Sequence, residues 1–354
     1  MTQRKKTNQI RVGSVAVGGG APVSVQSMTT TDTRDAKATV AQIRRLVRAG
    51  CEIIRVAVPD ETAAAALAAI VKGSVIPVIA DIHFNYRLAL SAIDAGVHGI
   101  RINPGNIGSR QRLAEVVKQA KAHNLSIRVG VNAGSLEKDI LKKYGHPVAE
   151  ALVESALRNV RLVEDMDFNQ IKISLKSSDV VTTVQAYRLL SKKMHYPLHI
   201  GVTEAGTAFS GTIKSSIGLG ILLAEGVGDT LRVSLSADPV EEVRVAYEML
   251  KCLGLRRRGP ELISCPTCGR RQIDVIALAK KVEKKLADFP HPIKIAIMGC
   301  EVNGPGEAKE ADIGIAGSRA TGVIFKKGKI IRKCPKDMLL DEFMKEIMAF
   351  SENI

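Results

Sequence analysis

Short β-branched runs alternate with longer Ala-, Leu- and Lys-rich stretches of helical periodicity from about residue 20 to residue 252. The runs predict eight strands, at 23–27, 53–58, 76–82, 99–103, 126–131, 170–176, 198–203 and 230–235. The stretches predict eight helices, at 36–49, 61–72, 86–95, 109–123, 147–164, 180–193, 212–225 and 239–252. Eight strand–helix units favour an α/β fold of the (β/α)8 TIM-barrel type over an open sheet, which usually has fewer strands.

Five of the predicted strands share a triplet in which a cation stands between two aliphatic residues. The triplets are Ile54-Arg55-Val56, Ile100-Arg101-Ile102, Ile127-Arg128-Val129, Ile171-Lys172-Ile173 and Leu231-Arg232-Val233. Because successive side chains of a strand point to opposite faces, we expect the aliphatics to face the helices and the cations to point into the barrel. Continuing by twos adds further inward positions, at Asp81, His83, Asn103, Asn132, Ser174, Lys176, His199, Thr203, Ser234 and Ser236.

This concentration of positive charge predicts a binding site for an anion. A single inward arginine is as readily explained by a structural ion pair, but here five cations have only Asp81 and Glu204 near them in the predicted barrel. Each unpaired buried cation costs several kcal/mol. Barrel sites form at the carboxyl ends of the strands, and arginine binds phosphate oxygens with parallel N–H groups. We therefore expect a small substrate with more than one phosphate or carboxylate, in line with a net charge of +15.

Composition argues against two other classes of protein. The chain has seven Phe, five Tyr and no Trp, too few rings for the base-stacking surface of a single-strand nucleic-acid binder. No apolar run approaches the ~18 residues of a membrane span, and the N-terminus lacks the apolar stretch of a signal peptide. We therefore expect a soluble, cytoplasmic protein with neither a nucleic-acid nor a membrane partner.

A second domain is predicted after the eighth helix. The segment 254–264 carries Gly, Pro and three consecutive arginines, a composition typical of a linker. The predicted organisation is a substrate-binding barrel at 1–253, this linker, and a smaller α/β domain at 265–354. Patterns in the last domain predict helices at 271–287 and 337–350 and strands at 293–297, 312–316, 322–325 and 329–332.

Three cysteines of the second domain have the spacing of metal ligands. Cys265 and Cys268 form a C-x-x-C pair, and Cys300 lies in the glycine-rich turn MGCEVNGPGE. Three thiolates in such turns bind zinc or a [4Fe–4S] cluster. A zinc site needs a fourth ligand, which Cys334 or His291 could supply. The spacing of the cysteines therefore does not decide between zinc and a [4Fe–4S] cluster. A zinc-ribbon nucleic-acid binder remains a rival on this ground, although the scarcity of aromatic residues counts against it.

Longer motifs resemble one known family along essentially the whole chain. They are GGGAPVSVQSMTTTDT at 18–33, RINPGNIG at 101–108, RVGVNAGSL at 128–136, CPTCGR at 265–270 and MGCEVNGPGEA at 298–308. The chain is thereby similar to the bacterial 4-hydroxy-3-methylbut-2-enyl diphosphate synthase (IspG/GcpE) family. The resemblance implies an oxidoreductase that opens 2-C-methyl-D-erythritol 2,4-cyclodiphosphate to 4-hydroxy-3-methylbut-2-enyl diphosphate. It places the enzyme in the methylerythritol phosphate route to isoprenoids, with two electrons from flavodoxin or ferredoxin.

The resemblance also implies roles for individual residues. It makes Cys265, Cys268 and Cys300 ligands of a [4Fe–4S] cluster, with Glu307 as the fourth, non-cysteine ligand, and it leaves Cys334 without a role. It places substrate contacts at Arg55, Arg101, Asn103, Arg128, Asn132, Lys176, Thr203, Glu204, Arg232 and Ser234. We expect Glu204 to be the proton donor, with His83 the weaker candidate. Glu307 is also expected to act in catalysis, because a carboxylate binds iron less firmly than a thiolate and can exchange with substrate.

The order of the domains predicts a homodimer. The eighth helix runs back to the face of the barrel opposite the substrate, and a linker of about eleven residues spans at most ~40 Å. Each cluster domain therefore reaches the barrel of a partner subunit more easily than its own, and the resemblance implies the same arrangement. The alternative function is a pterin- or phosphometabolite-binding barrel with a structural zinc domain, which fits the anion site but not a redox role.

Overall fold

The structure is a computed structural model that describes residues 3–300, 306, 308–318 and 320–351. The chain divides into two compact units, Met1–Arg256 and Arg257–Ile354. The described helices include none that is both long and apolar enough to cross a membrane. The two units have separate sheets and separate hydrophobic cores.

The first unit contains the eight parallel strands that the alternation predicts. A short hairpin of β1 (Ile10–Val12) and β2 (Val15–Val17) precedes them. The barrel strands are β3 (Ser24–Met28), β4 (Ile53–Ala57), β5 (Val78–Asp81), β6 (Gly99–Ile102), β7 (Ser126–Asn132), β8 (Ile171–Lys176), β9 (His199–Ile200) and β10 (Thr230–Leu231). Strands β3 to β8 pair in sequence order, and β10 pairs with both β9 and β3. The TIM-barrel prediction is confirmed.

Helices follow the strands and cover the outside of the barrel. Between residues 3 and 256 they are α1 (Ala36–Ala49), α2 (Glu61–Gly73), α3 (Tyr86–Asp94), α4 (Arg110–Ala122), α5 (Lys138–Tyr144), α6 (Ala149–Glu164), α7 (Val180–Lys193), α8 (Ala208–Ala224) and α9 (Pro239–Cys252). Several begin after a side chain that caps the first turn, as Asp35, Asp60 and Ser109 do. The short α5 is absent from the prediction, because seven residues are too few to reveal a helical repeat.

The ring of strands closes where β8 meets β9. Ile173 forms a single parallel bridge with Leu198. Tyr187 of α7 reinforces this junction, since its buried hydroxyl donates to the carbonyl oxygen of His199 at 2.6 Å and accepts from the N–H of Leu175 at 3.0 Å. The hydroxyl of Tyr187 thus hydrogen-bonds to one backbone group on each of two strands that are joined to each other by only this single bridge.

The N-terminal hairpin closes the amino-terminal end of the barrel. Ile10, Val12 and Val17 pack against Ile53 and Ile79, which lie near the amino ends of β4 and β5. All five side chains are buried. The hairpin is absent from the prediction, because strands of three residues carry no legible pattern. This apolar plug leaves the carboxyl ends of the strands as the open end of the lumen.

Among its described residues, the second unit is a five-stranded sheet with two helices against one face. Its strands are β11 (Pro260–Ser264), β12 (Ile293–Met298), β13 (Ile313–Gly317), β14 (Thr321–Lys326) and β15 (Lys329–Pro335), in that spatial order. The first three are parallel and the last two antiparallel to their neighbours. The helices are α10 (Val275–Lys285) and α11 (Leu339–Ser351). Their core includes Val282, Ile295, Phe343 and Ile347.

The segment predicted as a linker contains one of these strands. The division between the units falls at Arg256, inside 254–264, but Pro260–Ser264 forms β11 and pairs with β12 over its whole length. Leu262 and Ile263 pack on opposite faces of the sheet. The composition rule for linkers fails here because a strand of five residues at a sheet edge needs only one apolar residue on each face.

We predict that Tyr187→Phe lowers the free energy of unfolding by about 1–3 kcal/mol, because two buried backbone groups lose their partner. Urea unfolding followed by circular dichroism measures the change. Tyr86→Phe, at the half-buried start of α3, is the matched control and should change stability by less than ~0.5 kcal/mol. Equal stability of Tyr187→Phe and the wild-type protein would contradict the role given to this hydroxyl.

Candidate functional site

Cations line the lumen of the barrel, as the strand parity predicts. The side chains of Arg55, Arg101, Arg128 and Lys172 are all more than nine-tenths buried, and the aliphatic residues beside them belong to the helix-packed core. Arg128 and Lys172 are direct partners in the ladder between β7 and β8. Lys176, at the end of β8, is buried as well. The predicted inward orientation of the cations is therefore confirmed for these residues.

Asp81, at the end of β5, is the counter-ion of two arginines. Its Oδ2 lies 3.5 Å from Nε of Arg55, and its Oδ1 lies 3.3 Å from Nη1 of Arg101. Burial alone would raise the pKa of Asp81, but Arg55, Arg101 and Arg128 outweigh burial and hold this pKa at about 2. The carboxylate therefore stays ionised at neutral pH and fixes both guanidinium groups.

A second buried carboxylate, Glu242 in the first turn of α9, is missing from the sequence prediction. Its Oε1 lies 3.3 Å from Nη2 of Arg232 and accepts from the N–H of Leu235 at 3.0 Å. Its Oε2 accepts from the hydroxyl of Ser27 at 3.2 Å. The expectation that only Asp81 and Glu204 balance the cations is therefore wrong. The sequence gives little signal for Glu242, because acidic residues are common in any first helical turn.

Met28, the last residue of β3, lies between two of the arginines. Its Sδ accepts from Nε and Nη2 of Arg55 at 3.2 and 2.9 Å and from Nη1 of Arg232 at 3.6 Å. A thioether is a weak hydrogen-bond acceptor. Both guanidinium groups can therefore exchange this contact for a stronger one to an oxygen of a bound anion.

Arg128 and Lys176 have no carboxylate within hydrogen-bond distance in the described part of the chain. Nε and Nη1 of Arg128 are buried without a hydrogen-bond partner. Burial, and after it repulsion from Arg55 and Arg101, lowers the pKa of Arg128 well below its usual value. Burial and repulsion from Arg128 and Arg55 lower the pKa of Lys176 in the same way. Groups in this condition recover favourable interactions when an anion binds.

The uncharged residues predicted to bind substrate lie at the carboxyl ends of their strands. Asn103 follows β6 and is buried, with an amide nitrogen that lacks a hydrogen-bond partner. Asn132 ends β7, and with its amide oxygen turned toward Arg101 it accepts from Nη2 at 3.2 Å. Thr203 and Ser234 follow β9 and β10 and are half-buried. The fold therefore brings these residues to the open end of the lumen.

The two candidate proton donors are exposed at the same end. Glu204 follows β9 with a φ of 51°, a left-handed conformation that is uncommon for a residue with a Cβ. Such backbone strain recurs at functional sites. The side chain of His83 is 59% exposed, and its Nε2 lies 3.8 Å from Oδ2 of Asp81. The strained backbone distinguishes Glu204 from His83.

Two inward-facing glycines leave room for cations. A Cβ at Gly130 of β7 would lie 2.6 Å from Nε of Arg101, and a Cβ at Gly201 would lie 2.8 Å from Nζ of Lys176. At such distances the neighbouring side chain has to move. The sequence does not reveal this role, because glycine in a strand equally indicates a bulge or a bend.

The cysteines of the second unit lie at the carboxyl ends of two neighbouring parallel strands. Cys265 follows β11, and its N–H donates to the carbonyl of Ile297 in β12 at 3.0 Å. Cys300 follows β12 directly after Gly299. The N–H of Gln272 donates to the carbonyl of Gly299 at 2.8 Å, which holds the turn after Cys268 against the end of β12. The backbone therefore brings the C-x-x-C turn and Cys300 to one edge of the sheet.

The remaining candidate ligands differ in their position. Glu307 lies outside the described residues. Cys334 on β15 is three strands away from β12, about 14 Å across the sheet, and its thiol is buried against the helices. His291 precedes β12, so six strand residues, about 20 Å, separate it from Cys300. Neither residue can complete a zinc site with Cys300 in this fold.

The three cysteines fit a thiolate-bound metal group in their chemistry and backbone placement. All three are free of disulfides and at least partly exposed. Across the described ranges, no three His, Cys, Asp or Glu side chains stand close enough together to chelate an ion as they are. Thr267, between the two cysteines of the C-x-x-C pair, has a left-handed φ of 68°, a strained turn of the kind found at functional sites.

Two protein-family models match this chain. The model described as the GcpE TIM-barrel domain matches residues 7–247, and the model described as the GcpE protein C-terminal domain matches residues 261–349. The first match lies within the barrel unit and the second within the unit that carries the cysteines.

Curated relatives are similar over almost their full length. A 4-hydroxy-3-methylbut-2-en-1-yl diphosphate synthase (flavodoxin) of Desulfotalea psychrophila is 61% identical over 355 residues, which cover 99% of this chain and 98% of that protein. A protein of the same name from Geobacter sulfurreducens is 61% identical and covers 97% of this chain and 98% of its own. One from Clostridium acetobutylicum is 60% identical, with 98% and 99% covered.

Solved structures of low identity share the barrel. The 3-dehydroquinate dehydratase of Geobacillus kaustophilus aligns with a TM-score of 0.51 at 15% identity, over 70% of this chain and 98% of that one. A dihydropteroate synthase of Coxiella burnetii in complex with pteroic acid aligns with a TM-score of 0.50 at 10% identity, over 70% and 97%. At these identities the similarity extends to the fold alone.

We predict that Gly130→Ala weakens the binding of inorganic pyrophosphate about tenfold, because the added methyl displaces Arg101 and one charge-assisted contact is lost. Isothermal titration calorimetry measures the affinity, and the melting temperature should stay within ~3 °C of wild type. Gly134→Ala is the matched control, since a Cβ there meets no atom within 4 Å. Wild-type affinity in Gly130→Ala would contradict the role of this glycine.

Proposed function

The chain belongs to the GcpE family, and from this premise we propose how its lumen and its cysteines perform the family's reaction. The chain is an enzyme that converts 2-C-methyl-D-erythritol 2,4-cyclodiphosphate to 4-hydroxy-3-methylbut-2-enyl diphosphate in the methylerythritol phosphate pathway to isoprenoids. The observation that carries the substrate site is the excess of buried cations in the lumen. A pterin-binding barrel with a structural zinc domain is not favoured, because the full-length relatives carry the synthase name.

We place the two phosphate groups of the substrate among the cations of the lumen. Burial supports this placement for Arg55, Arg101, Arg128 and the amine of Lys176. Arg128 and Lys176 also have no carboxylate partner among the described residues, whereas Arg232, half-buried beside Glu242, is placed there by its position at the end of β10. Arginine binds phosphate with two parallel N–H groups, which also orients the ring. The neutral residues at the rim then bind the remaining oxygens, namely Asn103, Asn132, Thr203 and Ser234.

Glu204 is our candidate for the proton donor. Ring opening removes a hydroxyl group as water, and this departure consumes one proton. The position of Glu204 directly after Thr203, its exposure at the open end and its strained backbone support the assignment. His83, whose imidazole faces Asp81, remains the weaker candidate.

Cys265, Cys268 and Cys300 are proposed to hold a [4Fe–4S] cluster, with Glu307 as the fourth ligand. When bound, the cluster supplies two electrons one at a time, received from flavodoxin, the donor in the relatives' name, or from ferredoxin. Soft thiolates suit iron–sulfur clusters and zinc, and the distance of Cys334 and His291 from Cys300 favours the cluster. The thiols must stay reduced to bind metal, so we propose that the enzyme works in the cytoplasm.

We predict that anaerobically prepared protein contains about four irons per chain and turns over the cyclic diphosphate with reduced flavodoxin. Cys300→Ser should lose the iron and at least 99% of the activity, measured by metal analysis and product chromatography. Cys334→Ser is the matched control and should keep both, because this thiol lies in the hydrophobic core beside the helices. One zinc and no iron in the wild-type protein would contradict the cluster.

The outer face of α8 supports a homodimer. Phe209, Ile213, Ile217 and Ile221 recur every four residues along one side of the helix and are 79%, 44%, 52% and 37% exposed. Lys214 is the single charged residue of α8. An apolar stripe of this size is typical of a surface that another protein covers. We propose that a second copy covers it, in a dimer in which each cluster domain caps the partner's barrel.

We predict that Ile217→Glu converts the dimer to monomers in sedimentation velocity, because the glutamate would be buried without a partner. Val75→Glu, at a residue that is 76% exposed away from the stripe, is the control and should remain dimeric.

If the cluster domains cap the partner barrels, mixing Arg128→Ala with Cys300→Ala restores up to about a quarter of the activity, because half of the random dimers carry one intact site. A dimeric Ile217→Glu would remove α8 from the interface, and failed complementation would favour closure within one chain.

A further inference from the structure

Beneath the cations assigned to the substrate, the lumen contains a second layer of buried polar side chains. Lys172 is 1% exposed and its Nζ has no hydrogen-bond partner. The two ring nitrogens of His199 and the hydroxyls of Ser126 and Thr230, on neighbouring strands, are buried without partners as well. The proposed reaction uses none of these residues, although each buried polar atom without a partner costs free energy. Their retention calls for a function.

Lys172 is surrounded by positive charge. Arg128 of β7 is its ladder partner, and Arg55 of β4 also repels it. On the other side, His199 of β9 adds no charge, because burial first, and then Arg128, Lys176 and Lys172, lower its pKa well below the usual value. Burial first, and then Arg128 and Arg55, lower the pKa of Lys172 well below its usual value. The ammonium form of Lys172 is therefore disfavoured while no anion occupies the lumen.

The permanent charges of the lumen match those of the cyclic substrate. Four inward arginines stay protonated, and two carboxylates, Asp81 and Glu242, contact three of them. Two positive charges remain uncompensated. The cyclic diphosphate has two phosphodiester-like groups, each with one negative charge. The substrate complex is therefore balanced while Lys172 is uncharged and Lys176, whose pKa burial lowers in the same way, donates to the phosphates as a neutral amine.

Ring opening changes this balance by one charge. The cyclic dianion takes up two electrons and one proton and gives the alkenyl diphosphate trianion and water. The carbon–oxygen bond to one phosphate breaks, that phosphate oxygen keeps the bonding electrons, and the hydroxyl leaves with the proton. The released phosphate is now the terminal group of the diphosphate, bound only through the P–O–P bridge, and it carries a second ionised oxygen. A third negative charge in a buried site requires a third positive charge.

We propose that Lys172 takes up a proton from solvent when the ring-opened diphosphate forms, so that the lumen carries the charge that the product requires. This inference rests on the proposed function, because it uses the difference between substrate and product. Lys172, the ladder partner of Arg128, acts through its electric field and not through contact with the substrate. The charge on Lys172 stabilises the opened diphosphate more than the cyclic one. Because negative charge already builds up on the leaving phosphate in the transition state, this difference lowers the activation free energy of ring opening.

Proton uptake on ligand binding tests the proposal without turnover. The full-length enzyme with oxidised cluster is titrated anaerobically with the cyclic substrate or the alkenyl product at pH 8, where the free product's phosphate is already ionised. Titrations in Tris and in HEPES, which differ in ionisation enthalpy, give the number of protons bound with each ligand. We expect the product to bind with about one proton more than the substrate. Raising the acidity should shrink this difference as Lys172 becomes charged in the free enzyme.

Variants assign the proton to its acceptor. Lys172→Met, similar in length and uncharged, should remove the difference in proton uptake and weaken product binding about tenfold more than substrate binding. Lys118→Met, on the exposed face of α4, is the matched control and should behave as wild type. Lys172→Arg provides a second test if the methionine variant does not fold, since a permanent charge should also abolish the uptake.

Two results would overturn the proposal, and a third would contradict the proposed function on which it rests. Equal proton uptake with both ligands in the wild-type enzyme would remove the coupling. A difference that persists in Lys172→Met would show that another group takes up the proton, and Lys176→Met would identify the other lysine if it alone removed the difference. Failure of both ligands to bind the wild-type enzyme would instead contradict the proposed function.

Discussion

The barrel unit is built around a lumen in which buried cations outnumber the carboxylates that contact them. Aliphatic residues usually fill the interior of a TIM barrel, whereas here inward positions on β4, β6, β7 and β8 carry buried arginine or lysine. The outward aliphatic residues of the same strands still build a complete core against the helices. Strand parity thus separates two tasks, because outward residues stabilise the fold and inward residues concentrate positive charge in the lumen.

The arginines of the lumen differ in how firmly the protein holds them. Arg101 and Arg55 contact Asp81, and Arg232 contacts Glu242. Arg55 and Arg232 also share the weak acceptor Met28, whereas Arg128 has two N–H groups without any partner. Guanidinium groups fixed by carboxylates are preorganised, and those without partners gain most when a phosphate arrives. The lumen therefore combines arginines whose positions are fixed by carboxylates with Arg128, whose N–H groups lack an acceptor.

The inward positions of the cations could be predicted because the period of a strand does not depend on its partners. The eight strands and the placement of Asn103 at a strand end follow from the same rule. Glu242 and Met28 could not be predicted, since their roles depend on which helix turn and which strand end face Arg232 in three dimensions. The hairpin before residue 18 was too short to leave a pattern, although it closes one end of the barrel.

The strand concealed in the predicted linker explains how the cysteine pair is positioned. Had 260–264 been a flexible linker, Cys265 and Cys268 would lie on a chain with no fixed place relative to Cys300. As β11, the segment pairs with β12 over five residues, and Cys265 and Cys300 follow the ends of these two adjacent strands. Sites at the carboxyl ends of parallel strands are the general rule of α/β sheets. The rule that places Asn103 and Lys176 at strand ends in the barrel thus also places the thiols in the second unit. Strand pairing reduces the conformational entropy that would be lost if these cysteines bound one metal group.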